Sequence, residues 1–289
     1  MNYSDNLKKG EKGAWISILA YIFLAISKLI VAAIGNSDAL RADGLNNTTD
    51  VIASIAVLVG LKISRKPPDE DHHYGHFRAE TIASLFAAFV MMLVGIQVIT
   101  DTVKTVVEKN YTQPSMITAW TSLAAAAIMF FIYLYNLQLS RKISSSSLYA
   151  AAQDNRSDAL VSIGAFIGIT GAQFGLFWLD PVAGLVVGLI ICKTAWDIFS
   201  DASHTLTDGF DEKQIKKIRA SVENDPDVKE VHDIKGRIHG NQAFIDITIL
   251  VDPILNVEES HAITERIERY LYKKHNISHV HIHIEPYQS

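Results

Sequence analysis

Four polar residues set in otherwise apolar stretches offer the first chemistry. Asn46 and Asp50 stand four apart, and so do Asp154 and Asp158. A helix puts such a pair on one face, one turn above the other. An aspartate near a bilayer centre costs roughly 2.5–3.5 kcal/mol, so three cost of the order of 8–10 kcal/mol at full depth and less near helix ends. A cation held between the groups offsets that cost. Taken singly, Asn46 also reads as interhelical glue, and Asp154 as a helix N-terminal residue at the membrane surface. The repeated spacing is what favours a site. Its donors are carboxylate and amide oxygens, with no histidine or cysteine near these turns. Oxygen-only sets suit hard ions such as Mn2+, whereas imidazole suits Zn2+. Magnesium and calcium also take oxygen ligands, so ligand chemistry leaves the ion open.

Histidines mark two further places. The segment PPDEDHHYGH brings Asp69, His72 and His76 close in sequence, on a loop stiffened by two prolines. These three could meet around a metal; the alternative is a polar loop rich in histidine. It is no HExxH motif, because no glutamate stands between paired histidines. Near the C-terminus, His279, His281, His283 and Glu285 fall at every second position and share one face of a strand. His232, His239 and His261 could join them from neighbouring elements, against the plainer reading of a polar strand edge. One cysteine, Cys192, rules out a disulfide scaffold and a thiolate cluster within one chain.

The elements that must position these groups divide into a membrane half and a soluble half. Of the 289 residues 49% are hydrophobic and only 20% charged, which calls for membrane spans. Six stretches approach the length needed to cross a bilayer: Ala14–Ile34, Leu45–Ile63, Thr81–Ile99, Met116–Leu137, Leu148–Leu179 and Pro181–Phe199. Basic residues near span ends alternate. Lys8, Lys9, Lys12, Lys62, Arg65, Lys66, Arg78, Arg141 and Lys142 fall on one side, and only Arg41, Lys104 and Lys109 on the other. Both termini are therefore expected in the cytoplasm. The polar opening segment fits no cleavable signal, and the lack of a targeting extension points to a bacterial plasma membrane. Glycines at four-residue spacing (Gly164 and Gly168, Gly171 and Gly175, Gly184 and Gly188) predict close helix packing. A net charge of −5 speaks against a nucleic-acid partner.

After Asp208 charged residues become frequent. The pattern predicts a helix near Ile215–Val222, strands over Val228–Ile238 and Ala243–Val251, a helix over Val257–His275, and a closing strand around Val280–Ile284. That order suits a small α+β sandwich with its helices on one face of the sheet. The expected domains are residues 1–207, a six-helix transmembrane domain, and 208–289, a cytoplasmic metal-binding and dimerisation domain.

The ordered set DGLNNTTD, DEDHHYGHFRAE, DNRSD and VHIHIEP resembles the cation diffusion facilitators over about Ala14–Pro286. The resemblance implies a homodimeric metal exporter, with six membrane helices and a ferredoxin-like (αββαβ) cytoplasmic domain. It also implies export coupled to inward proton movement by alternating access. Position by position, Asn46, Asp50, Asp154 and Asp158 match the family's transport site, without the histidine usual in zinc members, as in the manganese-exporting branch. Asp69, His72 and His76 match the family's loop site. His232, His261, His283 and Glu285 match a two-metal site of the cytoplasmic domain, which would hold Zn2+ or Mn2+. Thr248 stands where that site expects a bridging histidine, and His239, Asp246 or His281 are the substitutes at hand. Arg78 and Asp208 match a charge interlock near the membrane–cytosol boundary.

The function expected is therefore efflux of Mn2+ in exchange for protons. Rivals are a Zn2+ or Fe2+ exporter of the same family and a membrane-bound metal sensor. The polar groups supply ligands but no nucleophile–base pair, which argues against an enzyme.

Overall fold

A computed structural model describes residues 3–64, 66–109, 113–143, 146–239 and 242–287. Arg65, and Ser144 and Ser145 of the serine loop, lie outside them. Six long helices come first: α1 (Tyr3–Gly35), α2 (Asp38–Ser64), α3 (Arg78–Val107), α4 (Met116–Ile143), α5 (Ser146–Gln173) and α6 (Leu179–Leu206). Five of them, all but α5, are long and apolar enough to cross a membrane. Helix α5, of 28 residues, is the one that carries Asp154, Arg156 and Asp158. The soluble elements follow as α7 (Glu212–Glu223), β1 (Glu230–His239), β2 (Gln242–Val251), α8 (Val257–His275) and β3 (His279–Pro286). By compactness the chain forms two units, Met1–Ala56 with Phe86–Asp197 and Val57–Leu85 with Ile198–Ser289.

The helices run past most of the expected span ends, and two of the differing boundaries in the first unit have a visible cause. Helix α2 starts at Asp38, well before Leu45. The Ser37 hydroxyl accepts the Leu40 amide at 3.1 Å, and Asp180 Oδ2 accepts the Asp38 amide at 2.7 Å. These are N-terminal caps, so the polar stretch after Asn36 turns into helix rather than loop. The fifth helix ends at Gln173, not Leu179. Gly175 takes φ +89°, a left-handed conformation that glycine adopts freely, and the chain turns there into α6.

Small side chains set the helix contacts. A Cβ added at Gly168 would stand 2.4 Å from Ala183 Cβ, and one at Gly171 would stand 2.3 Å from Leu179 Cδ1. A Cβ at Gly164 or Gly175 would meet nothing within 4 Å, so the expectation of close packing fails at those two glycines. The turns of this unit tie together at one end. Ser115 donates its amide to Gly35 O at 2.8 Å, Gln173 donates to Pro114 O, and the Ser37 hydroxyl donates to Asp180 Oδ1 at 2.6 Å.

In the second unit the soluble elements form a three-stranded sheet in the order β1-β2-β3. Strands β1 and β2 are antiparallel, and β2 and β3 are parallel. The core holds Ile218 and Val222 of α7, Ile245, Ile247 and Ile249 of β2, and Ile263, Ile267 and Leu271 of α8. Alternation along β2 sends these isoleucines to the helix-covered face, each stabilising the fold by about 1.5–3 kcal/mol. Asp211 caps α7, accepting the Lys213 amide. Asn256 and Glu259 form a capping box on α8, which ends at Asn276 in the left-handed region. The αββαβ order is the one expected.

Candidate metal-transport site

The i, i+4 pairs of α2 and α5 meet within the first unit. Asn46 Nδ2 donates to Asp158 Oδ1 at 3.1 Å and to Asp50 Oδ2 at 3.3 Å. Asn46 and Asp158 are each 7% exposed. Both amide protons are thus used, and Asn46 Oδ1, which accepts no hydrogen bond among the described residues, is left for a cation. Asp154 lies one turn along α5 on the same face, exposed, and accepts no hydrogen bond among the described residues. Three of the four expected residues are therefore brought into contact, and the fourth stands beside them without joining their hydrogen bonds.

Residues not singled out in the sequence complete the site. The Tyr21 hydroxyl of α1 shares its proton between Asp158 Oδ2 at 2.8 Å and Asn155 Oδ1 at 2.9 Å. Asn155 in turn donates to Ser17 Oγ at 3.1 Å, and Asn47 Nδ2 reaches Asp50 Oδ2 at 3.5 Å. The motifs themselves hold the signal, since Asn47 of GLNNTTD and Asn155 of DNRSD are as polar as their neighbours Asn46 and Asp154. Every atom named in this cluster is oxygen or amide nitrogen, and no imidazole enters it. An ion that takes oxygen ligands fits such a set.

A second group lies in the second unit, on the loop between α2 and α3. Asp69, His72 and His76 form the one group of histidine, cysteine or acidic residues, three or more strong, whose ligand atoms fall within 4.8 Å of one another among the described residues. Asp69 Oδ1 is 3.0 Å from His72 Nδ1, and Asp69 Oδ2 is 3.3 Å from His76 Nε2. The loop is built to hold them. Asp69 Oδ1 also accepts the amides of Asp71 and His72, closing a turn, and Gly75 at φ +78° reverses the chain so that His76 returns to His72. The hydrogen bond from His72 holds the Asp69 carboxyl below the ordinary aspartate range. His76 Nδ1 is buried without a partner among the described residues. The group opens on a cleft of about 830 Å3 that Arg78, Asp208, Arg237 and His239 also line.

The expected interlock is present within this unit, with Arg78 Nη2 2.5 Å from Asp208 Oδ1. The same nitrogen stands 3.0 Å from His239 Nε2. Burial first, and then the charges of Arg78 and Arg237, push His239 below the ordinary histidine range. The neutral ring accepts from the guanidinium.

Among the described residues of a single chain, the four cytoplasmic-domain candidates do not converge. His283 Nε2 is 3.5 Å from Glu285 Oε1, whereas His261 Nε2 faces Glu265 of its own helix at 3.5 Å. His232 is exposed on β1, at the bulge between Val231 and Asp233. Thr248 pairs with His283 across β2 and β3. Of the substitutes, Asp246 is held by Arg237 at 3.2 Å and His239 by Arg78, and His281 stands exposed opposite Asp246.

A helical membrane domain with a buried acidic site made of oxygens, followed by a small αββαβ domain, describes a carrier of cations. A family model for the cation efflux transmembrane domain matches residues 14–207, and one for the cation efflux protein cytoplasmic domain matches residues 210–287. The chain belongs to the cation efflux family. It is 52% identical over 286 residues to the manganese efflux system protein MneS of Bacillus subtilis (strain 168), covering 99% of each chain. It is 28% identical over 293 residues to the manganese efflux system protein MneP of the same organism, covering 98% of each. Among solved structures, the copper form of MamM CTD is 28% identical, with a TM-score of 0.26 over 27% of this chain and 76% of that one. The protein is a multi-pass membrane cation-efflux transporter with a cytoplasmic C-terminal domain.

Proposed function

We propose that this chain exports Mn2+ from the cytoplasm across a bacterial plasma membrane in exchange for protons, working as a homodimer. The observation that carries the reading is the Asn46–Asp158 contact, which gathers oxygen donors of α2 and α5 with no imidazole among them. The full-length similarity to MneS, named for manganese efflux, supports the same ion.

Mn2+ entering from the cytoplasm takes oxygens from Asn46, Asp50 and Asp158, with Asp154 completing the shell. Rearrangement of the helices opens the site to the outside, where protons compete for the carboxylates and release the ion. Affinity falls as ligands protonate, so a proton gradient drives the cycle. Residues 1–207 carry transport and residues 208–289 carry metal binding and dimerisation, a division that the matches over 14–207 and 210–287 support. Asp69, His72 and His76 form an accessory metal site, with imidazoles that suit Zn2+ as well as Mn2+. His232, His261, His283 and Glu285 would bind Zn2+ or Mn2+ only where a second copy supplies the missing ligands, since one chain leaves them apart.

The test is uptake into proteoliposomes under an imposed pH gradient, comparing Mn2+ with Zn2+. Asp50→Ala and Asp158→Ala variants run alongside. Gradient-dependent Mn2+ flux lost in both variants is the expected result. Zn2+ flux without Mn2+ flux would overturn the ion while leaving the family intact.

A further inference from the structure

One step away from the proposed transport site, the first unit buries a full charge pair that the transport reading does not use. Lys28 of α1 and Asp43 of α2 are each 0% exposed, with Nζ 2.8 Å from Asp43 Oδ1. The ammonium also donates to Asn47 Oδ1 at 2.7 Å and to Ser162 Oγ at 3.0 Å. All three of its protons are therefore spent on oxygens drawn from α2 and α5. A fourth oxygen, Asp43 Oδ2, is buried beside them with no partner among the described residues.

Burial of such a pair is poor evidence for stability, because desolvation offsets the attraction between the charges. Inside a membrane, an ionisable residue with a named partner points to function by default. The cluster has the make-up of a cation site: one carboxylate, one amide oxygen and one hydroxyl around a single positive centre, with a spare carboxylate oxygen. A divalent ion holds oxygens at roughly 2.0–2.6 Å, so the cluster would need to contract only by a few tenths of an ångström to about one ångström around it.

Its place is also informative. Helix α6 leads from Leu179 toward the cytoplasmic domain, so Asp180 marks the outer end, and its bonds to Ser37 and Asp38 put the start of α2 at that end. Asp43 lies between that end and Asp50, about 10 Å outward along α2 at 1.5 Å per residue. Asn47 links the two places, accepting from Lys28 and reaching Asp50 Oδ2 at 3.5 Å.

We propose that Asp43, Asn47 and Ser162 form a second cation station on the outward side of the transport site, and that Lys28 is its tethered occupant. While the ammonium fills the station, a metal ion at Asp50 and Asp158 cannot pass outward. When Lys28 withdraws, Asp43 and Asn47 become ligands for the departing divalent ion. The proposal rests on the reading of Asn46, Asp50 and Asp158 as the transport site.

The test counts Mn2+ bound to the full-length protein in detergent, by equilibrium dialysis with elemental analysis. Lys28→Gln and Lys28→Met, which empty the station, should each bind one more Mn2+ per chain than the wild type. Adding Asp43→Asn should return the count to the wild-type value, and Lys28→Arg should leave it there. No gain in either neutral variant, or a gain that survives Asp43→Asn, overturns the proposal. Should both neutral variants fail to fold, Asp43→Asn alone decides. With the ammonium held less firmly, downhill Mn2+ leak from vesicles should rise several-fold without any imposed gradient, and an unchanged leak overturns the proposal. Asp50→Ala in the wild-type background should lose one Mn2+. If it does not, the transport-site reading fails on its own, whatever the Lys28 variants show.

Discussion

Asn46 Nδ2 stands 3.1 Å from Asp158 Oδ1, a bond that joins α2 to α5 across 112 positions of sequence. An imidazole placed at Asn46 would therefore stand beside Asp158. Asn46→His should move the metal preference toward Zn2+, by tenfold or more in the ratio of the two fluxes, since imidazole favours that ion. Competition between Mn2+ and Zn2+ in proteoliposome uptake checks it, and an unchanged ratio would show that selectivity lies elsewhere.

Helix α1 enters the same site through Tyr21. Removing the hydroxyl leaves Asp158 Oδ2 without its donor but keeps the ring packed against Leu24 and Met129. Tyr21→Phe should weaken Mn2+ binding about tenfold, ~1.4 kcal/mol, the scale of one hydrogen bond to a charged group. Titration calorimetry on the purified protein measures this, and an unchanged affinity would make Tyr21 a packing residue only.

How much of this was readable beforehand depends on the distance along the chain over which each relationship acts. Asn46 with Asp50 is one helical turn, so residue type and spacing were enough. Tyr21 with Asp158 needs the packing of α1 on α5, and a tyrosine within an apolar stretch reads as ordinary core. The run from Asp38 to Asp43 looked like a connection because it is polar, yet Ala39, Leu40 and Asp43 are fully buried. Lys28, far off in sequence, answers the charge that made the run look exposed. Gly175 reads in the sequence as a packing contact, whereas its left-handed backbone makes it a turn. In the cytoplasmic half, alternation along β2 and the amphipathic period of α8 predicted the fold closely, because a two-layer domain has one buried face per element. The histidines on its open face carried no such constraint, and one chain leaves them scattered.

The loop group predicts a metal-binding change separable from transport. His72→Ala or His76→Ala removes one of the two imidazoles that converge on Asp69. Zn2+ bound per chain should fall by one equivalent, while Mn2+ at Asp50 and Asp158 is retained. Elemental analysis after dialysis distinguishes the two. A Zn2+ count that stays the same in both variants would remove the loop from the metal sites.

Acid should loosen the cytoplasmic domain at a definite joint. Arg266 grips Asp225 with two nitrogens at 2.7 and 2.6 Å, and Asp227 with one at 2.6 Å. Hydrogen bonds from Arg266 hold the Asp225 carboxyl below the ordinary aspartate range. A depressed carboxylate contributes stability above its unfolded pKa of about 3.9, and that stability is lost as pH falls through the lower folded value. With Arg266 nearly half exposed, solvent screening limits the gain to about 1 kcal/mol. Arg266→Gln should lower the stability of α7 and α8 by that amount at neutral pH and flatten its decline below pH 4. Hydrogen exchange of the α8 amides reads both effects, and equal pH profiles would refute the assignment.

Asp180 accepts both the Ser37 hydroxyl and the Asp38 amide, at 2.6 and 2.7 Å, and so fastens the first turn of α6 to the first turn of α2. Two rods pinned together at one end behave like tongs. They part least at the pin and most at the far tips, so a few degrees of swing at Asp180 becomes ångströms of travel at the cytoplasmic ends of the helices. Asn46 and Asp50 ride on one of those rods, partway down its length. A swing of α2 about that carboxylate would therefore displace Asn46 and Asp50, the ligands proposed for the ion.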